Sequence, residues 1–128
     1  MLCGGALSSP EKVIVTGSGD HVICDAGNHR VVIYDQYGNY DRAITDIEFQ
    51  SPVAVATDSD GRFWILDQRA GRIFLFSPSG ARLLAVGPDI PGNGRPLSGA
   101  SDIVVVGDRI TIADTGNDRI LVCRGIAQ

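Results

Sequence analysis

The sequence lacks several features that mark particular classes of protein. Basic residues are not in surplus, because 11 Lys and Arg stand against 15 Asp and Glu, whereas a domain that binds nucleic acid usually carries a concentrated basic patch. No apolar run approaches the length of a membrane span. Residues 1–7 have neither the basic start nor the length of a secretion signal. We therefore expect no nucleic-acid partner and no membrane association.

Cysteines are few and odd in number. Of the three, Cys24 and Cys123 lie in apolar runs typical of strands, where a free cysteine behaves as a small hydrophobic residue. This pattern favours a reducing compartment. We expect a soluble, cytoplasmic protein.

The chain also lacks any stretch that favours a helix. Its 128 residues include 16 Gly and six Pro spread along the whole length, together with many Val and Ile. This composition is typical of short strands joined by tight turns. A hydrophobic content of 44% is enough to build a packed core. The sequence therefore predicts an all-β domain.

What the sequence does contain is a threefold repeat. Asp25–Arg30 and Asp114–Arg119 have the same form, and each is followed by three apolar residues. Asp67–Arg72 is a more divergent copy of the same motif. Asp25 and Asp67 are 42 residues apart, as are Gly38 and Gly80. The spacing therefore holds at two separate landmarks.

Each copy can be divided into short strands. The first strand of each copy is apolar at successive positions, which predicts that both faces of its sheet are covered and that the sheets stack. Four-stranded antiparallel units repeating every 40 to 47 residues are typical of β-propeller blades. We expect residues 1–128 to form one three-bladed half-propeller. The predicted blades span about residues 13–45, 53–86 and 101–124.

The third copy ends without a fourth strand. Leu2–Leu7 precedes the first inner strand in the place that 40–45 and 81–86 occupy before their successors. We expect it to supply a displaced outer strand, since propellers often close in this way. Three blades cannot close a ring. We therefore expect a homodimer that forms a six-bladed ring, the alternative being that the chain is part of a longer propeller.

The repeat resembles the NHL repeat over residues 13–124. The shared pattern is an apolar strand, an Asp-Gly turn, a strand ending in Asp, a turn like Thr-Gly-Asn-His-Arg, and another apolar strand; Ala70 and Gly71 replace Asn and His in the second copy. The resemblance implies a six-bladed propeller whose usual role is binding, of protein in many members and of RNA in some with a positive top face. Related propellers include peptide-amidating lyases and streptogramin lyase, which use histidines and a metal. The fold does not choose among these roles.

The repeated polar residues are predicted to be structural rather than a ring of metal-binding or phosphate-binding groups. Each copy ends its second strand in Asp, where the side chain accepts hydrogen bonds from turn amides. The Asn that follows in two copies suits a turn position with positive φ, and the recurrent Arg suits an ion pair with a neighbouring Asp. The predicted structural residues are Asp25, Asn28, Arg30, Asp67, Arg72, Asp114, Asn117 and Arg119.

Signals for catalysis are weak. His21 begins a strand and His29 lies beyond its far end, so at ~3.3 Å per residue they are more than about 10 Å apart and cannot share one ion. No serine lies in a nucleophile elbow, and no glycine-rich turn leads into a helix that could hold phosphate. We expect no catalytic residue, metal or cofactor. The alternative function is that of a metal-dependent propeller lyase or hydrolase.

Topology indicates a binding face. In an up-and-down blade, the turn between the second and third strands lies at the same end as the link to the next blade, so the Gly/Pro-rich insertion Gly87–Gly99 shares a face with these turns. We expect this face to bind a protein, peptide or small ligand; alternatively, the insertion covers a dimer seam or extends into solvent. The candidate binding residues are His29, Arg69, Asp89, Asn93, Arg95 and Asp118.

Overall fold

Eleven β-strands account for nearly all the regular structure in the described residues, 6–88 and 95–124, of the computed structural model. No helix in this part of the chain is long and apolar enough to cross a membrane. The strands form three antiparallel sheets, which we call blades. Blade 1 contains β1 (Pro10–Val15), β2 (His21–Asp25), β3 (Arg30–Tyr34) and β4 (Tyr40–Thr45); blade 2 contains β5 (Pro52–Thr57), β6 (Phe63–Asp67), β7 (Arg72–Phe76) and β8 (Arg82–Val86); blade 3 contains β9 (Asp102–Val106), β10 (Arg109–Asp114) and β11 (Arg119–Arg124).

Within each blade the strands pair in sequence order, from an inner first strand outward. A β-bulge interrupts the pairing of β1 with β2 between Pro10 and Lys12, and the same irregularity recurs in blade 2 between Pro52 and Ala54. The repeat therefore extends to backbone detail. The inner strands of blades 1 and 3 are joined by an ion pair, with Lys12 Nζ 3.0 Å from Asp102 Oδ1.

The landmark glycines of the repeat occupy the turn between the third and fourth strands. Gly38 and Gly80 have φ values of 86° and 95°, a region that L side chains rarely adopt. Each donates its N–H to the residue that opens its turn, Asp35 or Ser77. Only glycine takes this conformation without strain, which explains why glycine recurs at these two positions, 42 residues apart.

The core consists of two junctions between blades. Alternate side chains of each strand point to opposite faces of the sheet, so each blade has a forward face toward the next blade and a backward face toward the previous one. The forward face of blade 1, with Val22 and Ile33, packs against the backward face of blade 2, with Ile65 and Phe74. The forward face of blade 2, which includes Trp64, Leu66, Ile73 and Leu75, packs against Ile103, Ile110 and Ile112 of blade 3.

Two sequence expectations need comment. The predicted outer strand Leu2–Leu7 lies largely outside the described residues, and the two of its residues that are described, Ala6 and Leu7, are not in a strand. Among the described residues of one chain, blade 2 has a neighbour on each side, whereas the backward face of blade 1 and the forward face of blade 3 expose several valines. The expectation that every sheet is covered on both faces therefore stays a prediction for these two blades.

Candidate functional site

The end of the blades at which β2, β6 and β10 finish, called the upper end, is built on three buried aspartates. Asp25, Asp67 and Asp114 have no solvent exposure. Asp25 accepts hydrogen bonds from Ser8 N at 2.6 Å, Asn28 Nδ2 at 2.8 Å and Arg30 Nε at 2.9 Å. Blade 3 repeats the arrangement, with Asp114 accepting from Ser98 N, Asn117 Nδ2 and Arg119 Nε at 2.9, 2.8 and 2.6 Å.

Blade 2 holds its aspartate differently. Asp67 accepts three backbone N–H groups, from Gln50 at 2.7 Å, Ser51 at 2.9 Å and Ala70 at 3.0 Å. Arg72 instead pairs with Glu48 at 3.1 Å. The predicted Arg–Asp pairing therefore describes blades 1 and 3 and is wrong for blade 2.

The left-handed residue of the upper turn is not the asparagine. Positive φ was predicted for Asn28 and Asn117, but it occurs one residue later, at His29 (57°) and Asp118 (51°). The asparagines instead donate their side-chain amides to the buried aspartates. The equivalent residue in blade 2 is Gly71, with φ of 68°, so glycine supplies the conformation that His29 and Asp118 adopt elsewhere.

Hydrogen bonding keeps two of these buried carboxyls ionised. Burial alone would raise the pKa of Asp25, but hydrogen bonds from Asn28, Ser8 and Arg30 outweigh it and lower the pKa below its usual value. Burial likewise opposes ionisation of Asp114, and its own three donors again lower the pKa. Both groups therefore serve as fixed negative charges that hold the upper turns in place.

A cleft of about 300 Å³ opens at the upper end between blades 1 and 2. His29 Nδ1 lies 2.7 Å from Gln50 O; because a carbonyl oxygen only accepts, Nδ1 carries the proton and Nε2 is left for a ligand. The side chains of Glu11 and Arg69 are exposed and make no hydrogen bond or ion pair within residues 6–88 and 95–124. This upper cleft is lined by Ser9, Glu11, Ala26, Gly27, His29, Gln50, Ser51 and Arg69.

The structure brings together two of the six predicted binding residues, His29 and Arg69. Asp118 and Arg95 belong to blade 3 and its preceding link, where Arg95 O accepts a hydrogen bond from Arg119 Nη2 at 3.0 Å. The described ends of the insertion lie at the upper end, since Asn117 Nδ2 donates to Pro96 O at 2.9 Å. Asp89 and Asn93 lie outside the described residues.

Glu11, Ser9, Gln50 and Ser51 were not foreseen as cleft residues. A signal for Ser9, Gln50 and Ser51 existed in the repeat, because Gln50 and Ser51 precede β5 as Ser8 and Ser9 precede β1. Glu11 falls in the bulge of β1 and has no partner in the ladder. Ser9 has a φ of 50°, an uncommon value for a residue other than glycine.

A lower cleft of about 500 Å³, lined in part by Thr16, Asp20 and Asp58, lies at the opposite end of the same junction. Its main carboxylate is already satisfied, because Asp58 Oδ2 accepts from Arg62 Nε at 2.7 Å and from Trp64 Nε1 at 3.0 Å. His21 is also at this end. Among the described residues, no three His, Cys, Asp or Glu side chains are grouped so as to hold a metal.

Comparison with known proteins bears on the fold. No protein-family model matches the chain. Protein brain tumor of Drosophila melanogaster is 30% identical over 73 residues, which is 56% of this chain and 7% of that protein. A streptogramin B lyase structure superposes with a TM-score of 0.71 at 14% identity over 94% of this chain and 42% of the other. A chain of the nidogen/laminin complex gives 0.77 at 13% identity, over 93% of this chain and 44% of the other.

These structures are β-propellers of the NHL/YVTN type. The chain is a β-propeller. The predicted all-β propeller architecture is thereby confirmed. This propeller chain spans less than half the length of the solved structures that it matches, and at this level of identity the likeness is one of fold alone.

Proposed function

We propose that the chain is an NHL-type propeller unit that binds a protein partner at the upper cleft and carries out no reaction of its own. The observation that carries this proposal is the convergence of Glu11, Arg69 and His29 Nε2 on one cleft, where none of the three groups has a partner among the described residues. The cleft presents one carboxylate and one guanidinium group beside amide and hydroxyl groups. This arrangement suits an extended peptide whose acidic side chain contacts Arg69 and whose hydrogen-bond donor contacts Glu11.

The construction of the upper end supports a binding role. The turn that carries His29 follows Asp25, which accepts a hydrogen bond from Ser8 N in the segment before β1. The turn that carries Arg69 follows Asp67, which accepts a hydrogen bond from Gln50 N in the link before β5. Side chains displayed on turns held in this way lose little freedom on binding, which favours affinity. Most other arginines of blades 1 and 2 are in ion pairs, so Arg69 stands apart.

A selection from a displayed peptide library on the immobilised 128-residue chain tests this proposal. The dissociation constants of selected peptides are then measured for wild type and for Glu11→Gln, His29→Asn and Arg69→Gln. We expect each loss of a charge-assisted contact to weaken binding by roughly 10-fold. Asp108→Asn, which removes a charge from an exposed turn at the lower end, is the matched control and should leave affinity unchanged. Peptides that bind all four variants like wild type would show that the cleft is not the site.

The second candidate is a metal-dependent lyase. It is supported by two lyases among the similar structures, the streptogramin B lyase and virginiamycin B lyase from Staphylococcus aureus. In this chain His29 Nε2 would be the imidazole nitrogen available at the upper cleft. Elemental analysis of the purified protein decides the matter, since one bound metal per chain that is lost in His29→Asn would favour the lyase over the binding protein.

A further inference from the structure

Blade 3 exposes apolar side chains at positions that are buried elsewhere in the same chain. On its forward face, Ile120 is 63% exposed and Val122 is 60% exposed. Their equivalents in blade 2, Ile73 and Leu75, are 2% and 3% exposed, because blade 3 covers them. Val104 and Val106 extend the same open face along the inner strand β9.

The backward face of blade 1 shows the complementary pattern. Val13 is 58% exposed and Val15 is 64% exposed, whereas Val55, which is equivalent to Val13 in blade 2, is 1% exposed. Exposed apolar patches of this kind mark surfaces that contact another molecule. In the described part of the chain, blade 3 therefore has an open forward face, and the backward face of blade 1 is open along β1, although Val32 and Tyr34 on β3 of that face are buried.

The covered junctions indicate what fits each open face. In both of them, a forward face packs against a backward face. We propose that a second copy of this chain covers both open faces, so that the forward face of blade 3 in each copy packs against the backward face of blade 1 in the other. Two such contacts related by a twofold axis close a six-bladed ring and continue the packing already present between blades.

Charge on the open faces agrees with this pairing. Arg109 and Arg124 oppose each other across β10 and β11 at the lower end of the forward face, and neither forms an ion pair within the described part of the chain. Like charges directly opposite are destabilising. These two arginines favour a covering surface that carries a carboxylate at its lower end. On blade 1, Asp41 lies at that end, 3.8 Å from Arg42.

The mass of the chain in solution, measured by light scattering and sedimentation, tests the proposal. We expect a dimer of about 27 kDa, twice the 13.5 kDa of one chain. Ile120→Asp on the forward face and Val13→Asp on the backward face should each give a monomer, because either change places a carboxylate in both seams. Ile47→Asp is the matched control; Ile47 is fully exposed in the link between blades 1 and 2, and this variant should remain dimeric.

Mixing the two monomeric variants distinguishes a ring from a dimer through one face. A mixed pair retains one seam free of substitutions, so heterodimer should reappear with weaker affinity than wild type. If Val13→Asp stays dimeric while Ile120→Asp is a monomer, two forward faces are in contact and the ring is refuted; if both variants stay dimeric, neither open face is the interface. A wild-type monomer would refute the second copy and favour additional blades of a longer chain as the cover, and open polymers would refute closure.

A milder change keeps the test valid if the aspartate variants do not fold. Val122→Thr has nearly the same shape and places one hydroxyl in each of the two seams, so the dimer dissociation constant should rise about 100-fold. An unchanged constant would count against the seam. Because the upper cleft lies between blades 1 and 2 of one chain, loss of the dimer and loss of peptide binding can be scored separately.

Discussion

Replacing Asp25 by Asn should cost the folded chain about 3–5 kcal/mol, the usual effect of removing one member of a buried ion pair. Asp25 Oδ2 accepts from both Asn28 Nδ2 and Arg30 Nε, while Oδ1 accepts from Ser8 N. In the variant, an NH₂ group replaces one carboxylate oxygen. In either orientation of the side-chain amide, this group faces N–H donors that have lost their acceptor. It also removes the negative charge beside Arg30.

Two other aspartates provide a graded comparison. Asp67 is equally buried, but its donors are backbone N–H groups and it has no arginine partner, so Asp67→Asn should cost about 1–3 kcal/mol for mispaired hydrogen bonds. Asp118 is exposed and its side chain makes no hydrogen bond or ion pair in the described part of the chain. Asp118→Asn should therefore change stability by about 0.5 kcal/mol or less.

Urea unfolding followed by the fluorescence of Trp64, the single tryptophan and a buried one, measures these differences at a fixed protein concentration. With an m-value of about 2 kcal/mol/M, the midpoint should fall by about 2 M for Asp25→Asn, about 1 M for Asp67→Asn and less than about 0.3 M for Asp118→Asn. Equal shifts for Asp25→Asn and Asp118→Asn would refute the structural role of the buried network. A larger shift for Asp67→Asn would refute the contribution assigned to the ion pair.

Three further predictions concern pH, packing and thiol reactivity. Because the pKa values of Asp25 and Asp114 are lowered on folding, the unfolded chain binds more protons than the folded chain in acid. The free energy of unfolding should therefore be level above about pH 5 and fall below about pH 4. A flat profile of urea midpoint against pH would contradict this. Gly27→Ala places a Cβ within 2.6 Å of a carbonyl oxygen of the preceding link and should cost about 1–3 kcal/mol in thermal or urea unfolding, whereas Gly17→Ala, which meets nothing within 4 Å, should be neutral. Burial raises the pKa of Cys24 to about 12, so iodoacetamide should modify its peptide in mass spectra only after unfolding, and rapid labelling of the native chain would contradict this.

The blade architecture was predictable because it rests on short-range signals that recur. The strand β4 has the predicted bounds, Tyr40–Thr45, and β3 (Arg30–Tyr34) contains the three apolar residues that follow the first upper turn. β1 begins at Pro10, three residues before the predicted start at Val13, because its polar first half pairs with β2 through a bulge. The apolar faces of the blades could be predicted in the same way. The sequence pattern shows which side chains favour burial, but it does not show which part of the structure covers them.

The candidate site was only partly predictable. Topology places His29 and Arg69 on one end of the blades, and the structure brings both to one cleft. Glu11 reaches the same cleft from an inner strand, because two blades stack, and no local signal records that contact. The turn residues also show the limit of propensity arguments, since Asn28 uses its side chain to satisfy Asp25 and leaves the left-handed conformation to His29.

The most direct test of the central claim, that the upper cleft binds a partner, is hydrogen exchange measured with and without a peptide selected on the wild-type chain. The account predicts slower exchange in residues 26–30, 49–52 and 67–71, around the upper cleft. Exchange in residues 16–20 and 58–62, at the lower end of the same junction, should not change. Protection confined to the lower end would contradict the claim.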